Sequence, residues 1–439
     1  MTISKRKTLL FLGDVSLLYS SLFLALLLRW QENFQWQIFF QHFFPFSFLY
    51  FFWLIIFYIF GFYDFDLLKN NFNFFGRLFA ILSVCLILSI TLFYFLPIFG
   101  ISPKINLFLT VLIFGIVVFC WRKFFFHLFS SYFQKKLAIL GNNKEAKDLA
   151  LAIKENPHLG YKFFNFLDAK KDFINILKKE NIEILVLAEN IFLKPELINL
   201  IYQSLPSLKV EIFDLSQFYE FVFEKVPVSA INQFWFLENL KERKKDFYEK
   251  TKRIIDFILA FFLFFITLPF WPIIIFAIKL EDQGKAFYLQ ERVGKNKKIF
   301  KLIKFRSMIE KAEKNGPQWA DNEDQRVTKV GKFLRKSHLD EIPQLINILK
   351  GDISLVGPRP ERPEFVKQLE KEIPHYHLRH IIKPGFTGWA QIKFRYARSV
   401  MDSFEKFQYD LFYIKNRSFF LDFRILLKTL HLFFKKEHQ

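Results

Sequence analysis

Two adjacent acids, Asp340 and Glu341, stand in the run Lys336-Ser-His-Leu-Asp-Glu-Ile-Pro-Gln344, with Arg335 just upstream and Arg359 downstream. Acids placed together among cations are not the pattern of a solvated salt-bridge surface. They point to a site that handles phosphate with a metal ion. An aspartate is a competent nucleophile at phosphorus when metal and cations screen the anionic target. Mg²⁺ needs few protein ligands when substrate phosphates and water complete its shell, so no larger acidic cluster is required. In Gly357-Pro-Arg359-Pro360 two prolines fix the backbone around an arginine, which preorganises its guanidinium for bidentate contact with phosphate. Lys304 and Arg306 alternate with apolar residues along Phe300–Arg306 and project to one face of a short strand, where a phosphate or carboxylate would suit them.

The elements that must hold these residues are partly readable. Pro343 is tolerated only in a first helical turn, so the spacing predicts a helix from about 340–342 to Leu349, ending before Gly351. Asp340 is then expected at or beside the N-cap, where the helix dipole favours both a carboxylate and a phosphate. Gly294-Lys-Asn296 reads as a hairpin turn, and Thr387–Gln391 as a turn followed by a short strand or loop. His375, His377 and His380 lie close together, but no cysteine or acid pattern completes a zinc site there. Residues 419–434 read as an amphipathic helix lying on a membrane surface, because Asp422 and Arg424 interrupt the apolar run.

Upstream, four apolar stretches at 8–28, 38–60, 78–99 and 105–126 each reach the ~20 residues that cross ~30 Å of hydrocarbon. Cations gather before the first, between the second and third (Lys69, Arg77) and at and beyond the end of the fourth (Arg122, Lys123, Lys135, Lys136). That asymmetry places both ends of the anchor in the cytoplasm. Asp14 falls inside the first stretch, where an acid is costly and needs a neighbouring helix or water as partner. A fifth stretch, 254–279, is apolar but carries Pro269 and Pro272 near its middle and basic residues on both flanks. Those features predict a helix that enters the inner leaflet, bends and returns.

Between the anchor and this stretch, strand candidates at 137–140, 161–167, 182–187 and 208–213 alternate with helical stretches, the mark of a small parallel-sheet, Rossmann-like domain. Gly141-Asn-Asn-Lys-Glu-Ala offers one glycine where a dinucleotide fingerprint needs three, so a structural or regulatory insert is the reading. The division expected is therefore 1–134 anchor, 135–245 degenerate α/β domain and 246–439 an α+β catalytic domain with a re-entrant helix. The fold class is that of a membrane protein, α plus α/β.

Composition agrees. The 439 residues are 52% hydrophobic yet carry a net charge of +20, which suits a protein at the cytoplasmic leaflet, where anionic lipid and phosphate substrates reward lysine and arginine. Nucleic acid is excluded as a partner because the apolar runs are long and no nucleic-acid motif is present. The two cysteines, Cys85 and Cys120, lie in apolar runs and support neither disulfides nor a zinc site.

Taken together, Gln290–Gly294, Lys304–Met308, Leu339–Leu345, Gly351–Pro360, Lys383-Pro-Gly-Phe-Thr-Gly-Trp-Ala-Gln391 and 409–416 resemble the bacterial sugar transferases, the polyprenyl-phosphate hexose-1-phosphate transferases or monotopic phosphoglycosyl transferases. The anchor and degenerate insert resemble their long, exopolysaccharide-initiating branch. The resemblance implies that Asp340 attacks the sugar-bearing phosphorus of a UDP-sugar, expelling UMP, and that polyprenyl (undecaprenyl) phosphate then takes the phosphosugar. It also implies that Glu341 holds Mg²⁺, that Arg359 binds phosphate with Lys304, Arg306 and Arg335 as further substrate-binding candidates, and that membrane lipid is a partner. The expected location is the bacterial inner membrane, with catalysis on the cytoplasmic face; a homo-oligomer is a further expectation. UDP-glucose and UDP-galactose both remain open as donors. Leu268 stands before the hairpin proline where many members have serine, so the bend rests on Pro269 with help from Pro272. A membrane-anchored nucleotide-sugar dehydratase would need a glycine-rich cofactor loop, which is missing; Tyr248 and Lys252 match its tyrosine–lysine spacing outside the α/β insert. A lipid-binding scaffold would tolerate loss of Asp340.

Overall fold

The computed structural model describes residues 3–63, 71–95, 104–128, 134–168, 173–188, 195–204, 210–240, 245–310, 312, 326–394 and 399–434. Lys69, Arg395, Arg398, Lys435 and Lys436 lie outside them. Two compact units emerge, Met1–Phe218 and Tyr219–Gln439.

The first unit opens with α1 (Ile3–Trp30), α2 (Trp36–Ile59), α3 (Asn71–Phe95) and α4 (Lys104–His127), each with a stretch long and apolar enough to cross a membrane. Such helices are apolar on every side. One face packs inward, through residues such as Leu22, Trp53, Ile81 and Phe114. The other leaves Phe44, Phe79 and Ile116 exposed. Asp14 finds its partner in the neighbouring helix: Arg122 Nη2 lies 2.5 Å from its Oδ2, and both side chains are fully buried. The guanidinium also lies over the Phe62 ring at 4.4 Å. A Cβ on Gly13 would come within 2.6 Å of the Trp121 ring, so the approach of α1 to α4 requires glycine there.

The strands that follow are β1 (Lys135–Leu140), β2 (Tyr161–Leu167), β3 (Ile184–Leu187) and β4 (Glu211–Asp214). They form one parallel sheet in the order β2-β1-β3-β4. Helices α5 (Lys144–Glu155), α6 (Phe173–Lys179) and α7 (Pro195–Ser204) connect them. At the end of β1 the Asn143 side chain accepts from Ala146 N at 2.8 Å and donates to the Ala188 carbonyl at 3.0 Å. This asparagine caps α5 and ties two strand ends together, a structural use of the position where a dinucleotide motif would place glycine. Helix α8 (Leu215–Phe223) carries the chain into the second unit.

The second unit contains α9 (Gln233–Asn239), α10 (Asp246–Thr267), α11 (Trp271–Glu281), an antiparallel hairpin of β5 (Phe287–Val293) and β6 (Ile299–Phe305), then α12 (Lys329–Lys336) and α13 (Gln344–Lys350). The short strands β7 (Ser354–Val356) and β8 (Gly385–Thr387) pair in parallel around α14 (Pro363–Glu372). Helices α15 (Trp389–Lys393), α16 (Val400–Asn416) and α17 (Phe419–Phe434) complete it. The stretch after Thr387 is thus a short helix, not the strand or loop the sequence suggests. Trp389 is buried in the core, and its indole N–H donates to the Glu224 carbonyl at 3.0 Å. A helix forms over the expected 419–434, α17, with Leu421, Asp422 and Ile425 buried in the protein.

Helices α10 and α11 together form a fifth apolar stretch long enough to cross a membrane, Asp246–Glu281. It is interrupted by a 3₁₀ turn at Leu268–Phe270 that contains Pro269, and Pro272 sits in the first turn of α11. Proline has no N–H to continue the α-helical ladder, which places the break at these residues. Phe262, Ile266, Phe270, Ile273 and Phe276 are exposed along it. The opposite face packs inward, with the Trp271 ring 5.4 Å from Phe305 and 6.0 Å from Phe287 on the β hairpin. At its root, Asp422 of α17 accepts from Lys252 (2.8 Å), Tyr248 (2.6 Å) and Tyr413 (2.7 Å), while Asp256 accepts from Ser354 (2.6 Å).

Candidate active site

The acidic pair is held by a turn, not by a helix N-cap. Residues Leu339–Glu341 form a 3₁₀ turn, and α13 begins only at Gln344. The hydrogen bonds Glu341 N to His338 O, Ile342 N to Leu339 O, Leu345 N to Ile342 O and Ile346 N to Pro343 O all span three residues. The helical start expected at 340–342 does not form because Pro343 cannot donate to the Leu339 carbonyl, so the chain stays in the tighter winding. His338 precedes the turn in the left-handed region (φ 54°), a conformation that costs a non-glycine residue and persists where surroundings impose it.

Neighbouring elements fix this turn from three sides. The Asn347 side chain accepts from Ile303 N at 3.0 Å and donates to the Lys301 carbonyl at 2.8 Å, so it pairs with the free edge of β6 as another strand would. Arg253 of α10 donates to the Ile348 and Leu349 carbonyls at the far end of α13 (2.5 and 2.8 Å), which ties the acid-bearing segment to the apolar helix. On α12, a Cβ at Gly331 would meet the Ser307 carbonyl at 2.0 Å. That close approach brings Arg335 Nε to Ser307 Oγ at 2.9 Å.

Arg359 comes from the segment after β7. A Cβ on Gly385 would lie 2.0 Å from Gly357 N, and one on Gly388 would lie 2.2 Å from Gly357 O, so three glycines let two backbones touch. The Arg359 carbonyl accepts from Arg379 (3.0 Å), which also donates to Asp410 (2.9 Å), and the Pro360 carbonyl accepts from Arg292 (2.9 Å).

The product of these constraints is a cavity of about 640 Å³. Asp340, Glu341, Lys304, Arg306, Arg335 and Arg359 all line it. Glu341 Oε1 accepts from Lys304 Nζ at 2.7 Å and from Arg359 Nη2 at 2.9 Å. Burial alone would raise the Glu341 pKa, but Lys304 and Arg359 outweigh it and hold the carboxyl well below its ordinary range. Asp340 is 7% exposed, and among the described residues no group hydrogen-bonds to its carboxylate. Burial pushes its pKa up; Lys304 opposes this and the Glu341 charge adds to it. Two neighbouring carboxyls are thus driven in opposite directions, one fixed as an anion and one unpartnered and more basic. Arg306 reaches the cavity wall but gives its guanidinium to Asp282, with Nη2 2.7 Å from the carbonyl and Nη1 3.4 Å from the carboxylate. Among the described residues, no three His, Cys, Asp or Glu side chains gather as a metal cluster.

Several lining residues carried no role in the sequence reading. Tyr288, Gln290 and Arg292 of β5 line the same cavity. Tyr288 pairs directly opposite Lys304 in the hairpin, so the alternation 288, 290, 292 across from a site lysine is the pattern that marks them. Arg379 and Asp410 are separated by some thirty residues and no local pattern links them.

Residues 247–436 match the family described as "Bacterial sugar transferase". The chain is 50% identical over 153 residues to a UDP-N-acetylgalactosamine-undecaprenyl-phosphate N-acetylgalactosaminephosphotransferase of Aeromonas hydrophila, covering 35% of this chain and 36% of that protein. It is 48% identical over 132 residues, 30% of this chain and 74% of the relative, to a putative undecaprenyl-phosphate N-acetylgalactosaminyl 1-phosphate transferase of Bacillus subtilis. It is 40% identical over 181 residues, 41% of this chain and 39% of the relative, to a UDP-glucose:undecaprenyl-phosphate glucose-1-phosphate transferase of Escherichia coli. The match thus spans little more than a third of the Aeromonas and Escherichia proteins and about three quarters of the Bacillus one, and the family match at 247–436 contains the segment that builds this cavity. On these grounds the chain belongs to the bacterial sugar transferase family.

Proposed function

We propose that this protein transfers a sugar 1-phosphate from a UDP-sugar to polyprenyl phosphate, as the first membrane step of exopolysaccharide or related glycan synthesis. The observation that carries the reading is the unpartnered, buried Asp340 carboxylate, flanked in one cavity by the Lys304–Glu341–Arg359 cluster. In the first step an Asp340 oxygen forms a bond to the sugar-bearing phosphorus. The bond from that phosphorus to the bridging oxygen breaks, and UMP leaves with the electron pair. In the second step an oxygen of polyprenyl phosphate attacks the same phosphorus, releases Asp340 and yields a polyprenyl diphosphate sugar. Arg359 spends one N–H group on Glu341, and the rest of its fork suits the donor phosphates. Arg335, held on Ser307, adds positive charge beside Asp340.

The hard oxygen donors Asp340 and Glu341 fit Mg²⁺, which uses one or two carboxylates and leaves its remaining positions to phosphate and water. When bound, Mg²⁺ screens charge on the donor phosphates. Glu341, already fixed as an anion, is the residue to hold it.

The experiment that tests the reading incubates membranes containing the full chain with radiolabelled UDP-glucose, UDP-galactose and UDP-N-acetylgalactosamine, with and without EDTA. Label entering the lipid fraction with matched UMP release, lost on chelation, is the expected result. Folded protein that labels lipid from none of these donors overturns it.

The pH dependence follows from the direction of the Asp340 shift. A raised pKa means the nucleophile is protonated, and inactive, at pH values above the ordinary Asp value of 3.8. The acid limb of kcat/KM is therefore displaced upward. Lys304→Met removes a cation that opposes this rise and moves the limb to still higher pH. A limb that stays in place in the variant argues against Asp340 as the titrating group.

We infer further that α1–α4 anchor the chain in the bacterial inner membrane and that α10–α11 re-enter the cytoplasmic leaflet. Support comes from the break at Pro269, from cations on both flanks, and from Trp271, in mid-stretch, packing on the hairpin that carries Lys304. Single cysteines at Lys250 and Lys285 in intact cells should both resist a membrane-impermeant thiol reagent and both react after permeabilisation. Labelling of only one from outside indicates a crossing.

A further inference from the structure

The cavity around Asp340 continues to a second wall, where Phe365 and Leu369 of α14 and Lys406 of α16 line it. Lys406 is half-buried and, among the described residues, makes no hydrogen bond or ion pair. The charged groups facing it are Glu361, Arg359, Asp410 and Arg379. Both acids are shared with other cations: Asp410 lies 2.9 Å from Arg379, and Glu361 lies 3.8 Å from Arg292 and 4.0 Å from Arg379. The cations placed around Asp340 have acceptors, Lys304 and Arg359 on Glu341 and Arg335 on Ser307. An ammonium withdrawn from water beside a guanidinium, with no acceptor of its own, is costly unless an anion joins it. Burial accordingly pushes the Lys406 pKa down.

Arg359 stands between the two regions, bonded to Glu341 and electrostatically coupled to Lys406. A donor with two linked phosphates that sets its sugar-side phosphorus against Asp340 and Arg359 has its nucleotide-side phosphate one P–O–P link further along. We propose that Lys406 binds this nucleotide-side phosphate, the one that departs in UMP, with Phe365 and Leu369 forming the apolar wall against the nucleoside. The assignment rests on the transferase reading above and adds the residue that grips the leaving half of the donor.

Two measurements on the full-length protein in detergent test it: equilibrium binding of UMP, which needs no turnover, and initial rates with whichever UDP-sugar labels lipid in the wild type. Lys406→Ala and Lys406→Met are expected to weaken UMP binding and raise the donor KM by roughly 10- to 100-fold, the loss of a charge-assisted hydrogen bond. The KM for polyprenyl phosphate and the melting temperature stay put, and Lys406→Arg recovers most of the affinity. The methionine variant keeps the aliphatic stem, so it decides the matter if the alanine variant misfolds. Unchanged UMP binding in the folded methionine variant overturns the assignment. So does a parallel fall in both substrate affinities and in melting temperature, which marks a structural role. UMP binding that depends on Lys406 in a protein inert toward every UDP-sugar tested would keep the phosphate site and overturn only the transferase reading.

Discussion

Asp340→Asn is expected to abolish UMP release and lipid labelling, by on the order of 10⁴-fold or more, and to raise the melting temperature of the protein. The first effect follows from loss of the nucleophile proposed above, since an amide cannot form the proposed phosphosugar ester. The second follows from linkage. An acid whose folded pKa is raised binds its proton more tightly when folded, so the stability it contributes is complete below the unfolded value and is lost as pH rises through the folded one. At neutral pH the ionised, buried carboxylate works against the fold, and asparagine removes that charge. Thermal unfolding of both proteins at pH 5 and pH 8 should show a gap that widens at the higher pH. Retained turnover in the asparagine variant would falsify the nucleophile assignment. A lower melting temperature would show that the carboxylate is structural.

Glu341→Gln is expected to lower kcat/KM by about 10²- to 10³-fold, the scale for removing one preorganised electrostatic group, and here the stability effect has the opposite sign. Lys304 and Arg359 hold this carboxyl below its ordinary value of 4.5. Its contribution to the fold is therefore complete above that value and lost as pH falls through the depressed one. Glutamine keeps an accepting oxygen but removes the negative charge that Lys304 and Arg359 share, so the melting temperature falls. Because the Glu341 charge also raises the Asp340 pKa, the acid limb of the residual activity moves to lower pH. A variant that keeps the wild-type limb and melting temperature would show that the two acids are not coupled as the geometry indicates.

The sequence carried much of this arrangement because its signals are local. Apolar runs of the right length mark α1–α4, and Pro269 and Pro272 mark the break after α10. Alternation of strand and helix marks the parallel sheet, and prolines around Arg359 mark a fixed cation. What escaped depends on partners distant in the chain. Pro343 signals a helix start, but its missing N–H keeps Leu339–Glu341 in a 3₁₀ turn and delays α13 to Gln344, where Asn347 packs on β6. Arg306 shares the alternation of Lys304, yet Asp282, from the end of α11, claims its guanidinium. Trp389, in a stretch that reads as a turn with a short strand or loop, sits instead in a short helix with its ring buried in the core. Arg379–Asp410 and Lys406 emerge only when α16 is laid beside the Arg359 segment.

The convergence of three donors on Asp422 bears on how this protein can be shortened. Without α17, Lys252 would retain, among the described residues, only Asp256, 3.5 Å away, and the hydroxyls of Tyr248 and Tyr413 would lose their common acceptor. Helix α17 thus ties the start of the apolar α10–α11 stretch to α16 and, through Tyr413, to β7. A minimal active fragment has to start before Tyr248 and extend past Asp422, and trimming either margin should loosen both membrane attachment and the reaction chamber at once.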